Sequence, residues 1–374
     1  MIPQVPFLDL GATYRELQPE LDEVYRRVMT SGWYLLGEEL SSFEAEFATY
    51  SGSRHCAGVA SGLDALVLGL RALGVGRGDE VIVPANTYIA TWLAVSAVGA
   101  KLVPVEPDPA TYNLDPTAWA AAITERTRVI IPVHLYGQPA DMTPILELAA
   151  ARSIRVLSDA AQAHGATYRG QPVGAFGDVT AWSFYPGKNL GAFADAGAVT
   201  TNDPEVDARV RLLRNYGSVR KYENEAMGVN SRLDELQAAF LSVKLKHLDE
   251  WNERRARTAE RYAEALADAP IRLPTVRPEA SSSWHLFVIR HPGRDELQRR
   301  LIARGVDTMI HYPIPPYRQR AYADLAVETN FPITDALHRE VLSLPIGPHL
   351  TEGDRERVVE ALVHSLNGLP GSTE

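Results

Sequence analysis

The chain has 374 residues, of which 45% are hydrophobic and 22% charged, so it is long and apolar enough for a large core and two or three structural units. Its formal net charge of −10 argues against DNA or RNA as a partner, because phosphate backbones are bound by clustered Lys and Arg. The single cysteine (Cys56) excludes an internal disulfide. No secretory signal is visible and no apolar run is long enough to span a membrane. Together with the single cysteine, these features predict a cytoplasmic protein without a membrane partner.

Alternating strand and helix patterns occupy the first part of the chain. A helix is predicted near 14–30 and another over 63–73. Short apolar runs, which predict strands, lie at 56–60, 80–83, 101–105, 128–132, 153–159 and 178–184. This βαβ pattern predicts an α/β fold with a mostly parallel sheet.

The hydrophobic period changes after residue 232. One apolar face predicts a single long helix over about 232–268, with its charged residues on the solvated side. That face consists of Leu233, Leu236, Phe240, Val243, His247 and Trp251.

Pro274 and Pro278 with the serine run 281–283 predict a hinge into a smaller α+β domain. That domain contains a strand at 284–290, a helix at 294–304 and a terminal helix from Thr351. We therefore assign 1–250 to an N-terminal segment and large domain and 251–374 to a small domain, joined by the long helix.

Two segments carry the residues of a pyridoxal phosphate (PLP) site. They are SDAAQAHG at 158–165 and WSFYPGKNLG at 182–191. Each follows or ends a predicted strand, so Asp159 and Lys188 reach the edge of the sheet where α/β folds bind ligands. No metal site is predicted.

Each of these residue types meets a requirement of PLP chemistry. The cofactor forms a Schiff base with a lysine amine, which must be partly desolvated or near positive charge to be nucleophilic, and Lys188 is the candidate. A buried carboxylate keeps the ring nitrogen protonated, and Asp159 is the candidate. Gln162 places an amide near the ring hydroxyl. Taken singly, a lysine is more often a surface residue and an aspartate more often a turn residue or helix cap; their shared order favours the site.

A phosphate group needs a separate binding element. Residues 56–60 predict a strand and 63–73 a helix, so Ser61 and Gly62 lie at a helix N-terminus suited to an anion. Ser61 also suits a simple cap of that helix.

These motifs together resemble the nucleotide-sugar aminotransferases, the DegT/DnrJ group of PLP enzymes with the aspartate aminotransferase type fold (fold type I). The resemblance runs nearly end to end and rests on SGLDAL at 61–66, PANTYIAT at 84–91, HLYG at 134–137, DAAQ at 159–162, 183–191, NSRLDELQA at 230–238 and HYP at 311–313. It implies a mostly parallel seven-stranded sheet with a smaller α+β C-terminal domain.

The resemblance also assigns roles to the cofactor residues. Backbone amides of Gly62 and Leu63 and the hydroxyl of Ser183 bind the phosphate, and Tyr88 stacks on the ring. Asn230 reaches the phosphate of the neighbouring subunit, which implies a homodimer with shared active sites. By itself, the pair Asn230 and Ser231 resembles the N-cap of the following helix.

Three positions depart from the pattern of the family. Leu63 stands where many members have threonine, which removes one hydroxyl. ADAG at 194–197 replaces GDGG, so alanine introduces strain if either position has a positive φ. Tyr317 stands where histidine is frequent, at the substrate end.

The proline-rich segment 311–317 also matches an SH3-type ligand, although a rigid loop is favoured inside a packed domain.

The implied activity is transfer of an amino group from L-glutamate to a nucleoside-diphosphate keto sugar. Residues 184–191 and 214–218 are most similar to members that act at C-3, commonly on dTDP-3-keto-6-deoxyhexoses. The candidates for the sugar-nucleotide pocket, each of which also suits packing or surface, are Trp33, Tyr185, Lys221, Tyr222, His311 and Tyr312. Alternatives are a C-4 aminotransferase of the same family, a deoxysugar dehydratase, which has histidine in place of Lys188, and a non-catalytic regulatory protein on the same fold.

Overall fold

The computed structural model describes residues 4–323 and 330–369. Its helices are α1 Leu10–Ser31, α2 Glu38–Tyr50, α3 Gly62–Ala72, α4 Ile89–Ala97, α5 Pro116–Ala121, α6 Met142–Ala151, α7 Pro204–Arg214, α8 Glu235–Leu245, α9 Leu248–Ala265, α10 Arg294–Ala303, α11 Pro332–Glu340 and α12 Glu352–Leu366. Its strands are β1 His55–Val59, β2 Glu80–Pro84, β3 Lys101–Val105, β4 Thr127–Ile130, β5 Arg155–Asp159, β6 Thr167–Tyr168, β7 Gln171–Pro172, β8 Val179–Ser183, β9 Gly197–Thr201, β10 Ser218–Arg220, β11 Glu223–Asn224, β12 Ala280–Ser281, β13 Phe287–Arg290 and β14 Val341–Leu344.

A seven-stranded sheet with the order β1-β9-β8-β5-β4-β2-β3 forms the centre of the large domain. All of its strands are parallel except β9, which is antiparallel to both neighbours. The prediction of a mostly parallel sheet is therefore confirmed. The apolar runs are continuous because both faces of the sheet are buried: in β2, Val81 and Val83 join one core cluster while Ile82 joins another.

The predicted long helix over 232–268 was wrong as a single element. The segment forms α8 and α9, which are separated at Lys246 and His247. The apolar face continues across the break, since Val243 and Trp251 pack in one cluster against α1, which explains the continuous sequence pattern. Helix α8 contacts α1 and α2, whereas Ala259 and Tyr262 in the later part of α9 join a core cluster with residues of β13, β14, α10 and α12.

The N-cap interpretation of Asn230 and Ser231 was also wrong. Helix α8 begins at Glu235 and is capped by Asp234, whose side chain accepts a hydrogen bond from the amide of Gln237 at 2.8 Å. The Ser231 hydroxyl instead accepts from the amide of Ala60 at 3.0 Å and donates to Asp64 at 2.8 Å. Ser231 thus joins this loop to the start of α3.

The small domain is built on the antiparallel pair β13 and β14, with α10, α12 and the end of α9 around it. Val5 is completely buried in the same core and its amide bonds to the carbonyl of Gly305. The strand predicted at 284–290 begins only at Phe287, because Trp284 has a φ of 48°, outside the extended region.

Residues 274–283, which we call the strap, form the segment predicted as a hinge. The strap is bound along the large domain: β12 pairs with β6, and the amide of Ser283 donates to the carbonyl of Gly137. Arg277 forms an ion pair of 2.6 Å with Asp141. The strap is therefore bound to β6, Gly137 and Asp141, and it does not form a free hinge.

The proline-rich segment 311–317 is packed into the protein, as the rigid-loop prediction requires. The carbonyl of His311 accepts a hydrogen bond from the Tyr136 hydroxyl, and Tyr317 is buried in a core cluster.

Among the residues that the structure describes, no helix is both long enough and apolar enough to cross a bilayer.

Candidate active site

Asp159 and Lys188 reach the same edge of the sheet from neighbouring strands. Asp159 ends β5, and Lys188 lies in the turn after β8, where its amide donates to the carbonyl of Tyr185 at 2.8 Å. The strands are parallel and adjacent, so their carboxyl ends meet at this edge. The carboxylate of Asp159 is buried and accepts from the hydroxyl of Thr91 at 2.9 Å and from the amide of Ala161 at 3.2 Å.

Burial changes the protonation of both groups. Desolvation lowers the pKa of Lys188 to about 8, and the charge of Asp159 opposes this change. A lysine with that pKa carries a neutral, nucleophilic amine in about a tenth of the molecules at pH 7, far more than a solvated lysine does. Desolvation also raises the pKa of Asp159, while Thr91, Ala161 and Lys188 favour its charged form.

The surroundings of Asp159 fit a cationic ring nitrogen. In residues 4–323 and 330–369, no Lys or Arg forms an ion pair with this carboxylate. A buried carboxylate is costly unless a positive partner is near it. The protonated pyridine ring of a bound cofactor would supply such a partner.

The start of α3 fits a phosphate group. The hydroxyl of Ser61 caps the helix by accepting from the amide of Asp64 at 3.1 Å, and the first-turn amides of Gly62 and Leu63 have no acceptor within the helix. A Cβ on Gly62 would lie 2.5 Å from the Cβ of Ser183. Glycine therefore allows the helix end to approach β8 closely, so that two amides and the Ser183 hydroxyl lie beside one another.

Tyr88, Gln162 and Tyr312 lie on a second side of the site. The Gln162 amide nitrogen donates to the Tyr312 hydroxyl at 2.9 Å, and its carbonyl accepts from the amide of Tyr136 at 2.6 Å. The rings of Tyr88 and Tyr312 are 5.2 Å apart at 38°. One hydrogen of the Gln162 amide remains available, so donation to the ring hydroxyl stays a prediction.

Three histidines near Lys188 are neutral. Burial is the main cause and the charge of Lys188 a further one: the pKa of His311 is lowered to about 4, that of His164 to about 3, and that of His285 well below its usual value. His311 also contacts the hydroxyl of Ser343 through Nδ1 at 2.8 Å. The surroundings of Lys188 therefore add no imidazolium charge near neutral pH.

The remaining predicted residues are distributed unevenly. Tyr185 is exposed in the Lys188 turn. Trp33, Lys221, Tyr222 and Asn230 are exposed, and within the described part of the chain no hydrogen bond or ring contact joins them to Lys188 or Asp159. Lys221 instead lies over the ring of Tyr222 at 5.3 Å. The single chain thus does not bring these four residues together with the Lys188 side of the site.

The three departures from the family pattern have different outcomes. Neither Ala194 nor Ala196 has a positive φ, so the expected strain is absent. Leu63 packs against the core. Tyr317 does not line the site as expected: it is buried against Trp92 and Phe331, because its ring fills the core between the domains and its hydroxyl donates to Asp335.

Sequence reasoning missed Thr91, Asn189 and His285. Thr91 lies three residues after Tyr88 on the first turn of α4, so helical spacing was a usable signal. Asn189 follows Lys188 directly. His285 had no signal in the sequence, since it approaches the site only through the end of the strap.

The fold and this arrangement define a PLP-dependent transferase of the aspartate aminotransferase type. Residues 15–363 match the DegT/DnrJ/EryC1/StrS aminotransferase family, and the chain belongs to that family. Similar solved chains contain the PMP or PLP form of the cofactor. The predicted family, PLP dependence and enzyme class are therefore confirmed.

Two curated relatives and one solved structure illustrate the similarity. The chain is 56% identical to the dTDP-3-amino-3,4,6-trideoxy-alpha-D-glucose transaminase of Streptomyces venezuelae over 96% of each chain. It is also 56% identical to the erythromycin biosynthesis sensory transduction protein EryC1 of Saccharopolyspora erythraea, over 96% of this chain and 98% of the relative. The S. venezuelae DesV structure in complex with a ketimine intermediate matches with a TM-score of 0.96 and 54% identity, covering 98% of this chain and 100% of that one.

Proposed function

We propose that this enzyme transfers the amino group of L-glutamate to the C-3 keto group of a dTDP-3-keto-6-deoxyhexose, giving a dTDP-3-amino-3,6-dideoxyhexose. The observation that carries the proposal is the pair formed by the half-buried Lys188, whose pKa is lowered, and the buried Asp159 beside the N-terminus of α3. The names of similar transaminases support the C-3 position and the dTDP sugar. Such a product belongs to deoxysugar and antibiotic biosynthesis.

When bound, pyridoxal phosphate supplies the electron sink and carries the amino group between donor and acceptor. In the proposed arrangement Gly62, Leu63 and Ser183 bind its phosphate, and Tyr88 covers the ring. Asp159 holds the proton on the ring nitrogen, because its carboxylate is buried where a positive partner is favoured.

Lys188 moves the protons of the reaction. Nζ accepts a proton from the α-carbon of glutamate and later delivers one to C-3 of the sugar. Its lowered pKa suits both steps, since the ideal catalytic pKa lies near the working pH. The neutral His311 and the Gln162-bound Tyr312 orient the sugar hydroxyls beside it.

The proposed substrate pocket combines two subunits. Tyr185, His311 and Tyr312 belong to the subunit that holds Lys188. Trp33, Lys221 and Tyr222 serve the site of the partner, where Lys221 pairs with the diphosphate and the aromatic rings contact the base. This division is supported by their exposure and by their lack of contact with Lys188 in their own chain.

We also propose a homodimer, because large apolar side chains are exposed in these segments. The single cysteine, Cys56, fits a cytoplasmic location. Trp33 is 63% exposed, Tyr222 88% and Met227 90%. Large exposed apolar groups favour a second protein surface over water. Isolated β-bridges pair Leu35 with Asp234 and Asn215 with Asn230, so the backbone near Trp33 lies close to the loop that contains Asn230. A second copy that covers them also receives Asn230.

A small panel of keto sugars with glutamate tests the proposed substrate. We expect the dTDP-3-keto-6-deoxyhexose to give the highest kcat/KM and a product aminated at C-3 by NMR. The corresponding dTDP-4-keto sugar and a UDP-3-keto sugar are the controls. Preference for the 4-keto sugar contradicts the proposal in favour of the C-4 alternative.

The same preparation tests the regulatory alternative, which the name of the EryC1 relative keeps in view. An enzyme shows a visible cofactor band that disappears on addition of glutamate. A protein that binds the cofactor but keeps this band with every donor tested is not a transaminase.

Assembly is tested by mixing two inactive chains. If Asn230 serves the partner's phosphate, a heterodimer of Lys188→Ala and Asn230→Ala chains contains one site with both defects and one with neither. We expect it to recover activity that neither homodimer shows without added PLP, because a charge-assisted phosphate contact contributes about 1.5–3 kcal/mol. The measurement is an activity assay after subunit exchange under mild denaturant. No recovery, despite demonstrated heterodimers, places Asn230 in the site of its own subunit.

A further inference from the structure

Asn189, the residue after Lys188, is buried and bonded to three separate parts of the protein. Its amide nitrogen donates to Oδ1 of Asn252 on α9 at 2.8 Å and to the carbonyl of Ser283 in the strap at 2.7 Å. Its Oδ1 lies 3.1 Å from Nδ1 of His285. The backbone on the carboxyl side of Lys188 is therefore held to α9, the strap and the start of the small domain at once.

These contacts determine which way the amide points. A backbone carbonyl accepts and never donates, so the amide nitrogen of Asn189 must be the atom that faces Ser283. Oδ1 then faces His285 and accepts, which requires the proton of the imidazole to be on Nδ1. The neutral imidazole is thus held in one tautomer, with Nε2 unprotonated.

The imidazole ring of His285 is neutral because its surroundings disfavour a positive charge. Burial is the main cause, and the positive charges of Lys188 and Arg255 contribute, so the pKa of His285 is lowered well below its usual value. A bond that uses Nδ1 as the donor is compatible with this state. The orientation of Asn189 and the protonation of His285 are therefore consistent with each other.

We infer that Asn189 and His285 are positioning residues for Lys188: His285 holds the Asn189 side chain through Nδ1, and Asn189 in turn holds the Lys188 turn against α9 and the strap. The inference rests on the proposed role of Lys188 as the cofactor lysine. Because Lys188 must reach the cofactor and later the reacting carbon, a small change in its backbone direction reduces the rate strongly. His285 acts through Asn189, without contact with substrate.

Two substitutions of His285 separate this role from a direct one. Asparagine places an NH2 donor close to the position of imidazole Nδ1, so His285→Asn retains the bond to Asn189 and removes Nε2. His285→Phe fills the space of the ring and removes both nitrogens. Asn189→Ala removes the three bonds together. Gln138→Ala is the control: Gln138 anchors the strap elsewhere, through the carbonyl of Thr275 and the amide of Arg277, both at 2.9 Å.

The PLP-loaded variants are mixed with excess glutamate, and separately with hydroxylamine, which removes the cofactor from Lys188 without any donor specificity. We expect Asn189→Ala and His285→Phe to slow both losses of the visible band by about 10- to 100-fold. His285→Asn should remain within about threefold of the unchanged protein, since its bond to Asn189 is kept. Gln138→Ala should lower the melting temperature without changing either rate.

Several results overturn the inference. If His285→Asn is as slow as His285→Phe, Nε2 acts directly in the site. If Gln138→Ala is equally slow, any loosening of the strap has the same effect. Should Asn189→Ala not fold, the two His285 variants still decide. A protein that fails with glutamate but gives the expected pattern with hydroxylamine disproves the proposed donor and leaves the positioning role supported.

Discussion

Replacement of Lys188 by alanine is expected to abolish transamination and leave the fold intact. The change removes both the amine that attaches the cofactor and the group that moves the protons. Proton transfer alone contributes about 10²–10⁴-fold, and the attachment of the cofactor is lost as well, so activity should fall by more than about 10²-fold. The fold should persist because removal of a half-buried amine also removes its desolvation cost.

Borohydride reduction followed by peptide mass spectrometry measures this directly. The unchanged protein should carry the reduced cofactor on Lys188, and the alanine variant should bind cofactor only noncovalently. Lys244 is the matched control, because it is also buried and its pKa is lowered to about 7 by desolvation. Lys244→Met should keep the adduct on Lys188. An adduct on any other lysine of the unchanged protein contradicts the assignment.

Replacement of Asp159 by asparagine is expected to reduce turnover by about 10²–10³-fold, the range found when one preorganised electrostatic contact to a transition state is lost. The two side chains have nearly the same shape, so the hydrogen bond from Thr91 can remain. What is lost is the charge that keeps the ring nitrogen protonated. Size and helicity should change little.

The kinetic comparison includes Thr91→Val as a control. That variant removes the hydroxyl donor to Asp159 and keeps the carboxylate, so its activity should fall much less than that of Asp159→Asn. The measurement is single-turnover loss of the visible band with glutamate at saturating cofactor. Near-normal turnover of Asp159→Asn means that Asp159 is only a turn residue.

Local sequence patterns were sufficient for the strands that carry the site. Asp159 and the turn of Lys188 lie where the apolar runs end, and α3, the proposed phosphate site, begins at Gly62, one residue before the predicted start. Continuous apolar runs predict these strands because both faces of the sheet are buried, so that side chains on either face of a strand enter a core. The cofactor was predicted from the residue types at these strand ends and then from the resemblance to a known family, since no periodic pattern contains it.

Other features depended on contacts between distant residues. The break between α8 and α9 lies within a continuous apolar face, and only α9 continues into the core around β13 and β14. The predicted hinge is a bound strap for a similar reason: its backbone pairs with β6. Sequence spacing carries no information about which surface a segment meets.

By itself, the sequence determined the type of sheet and the position of Lys188 and Asp159 at strand ends, and it made these two residues the candidates for the site, since each follows from neighbouring residues. Only the tertiary structure decided their protonation, because burial of each group depends on the whole surrounding core. It alone also joined Asn189 to His285, two residues 96 positions apart. Such a bond forms when packing of the strap and α9 brings both groups together, which no local pattern encodes.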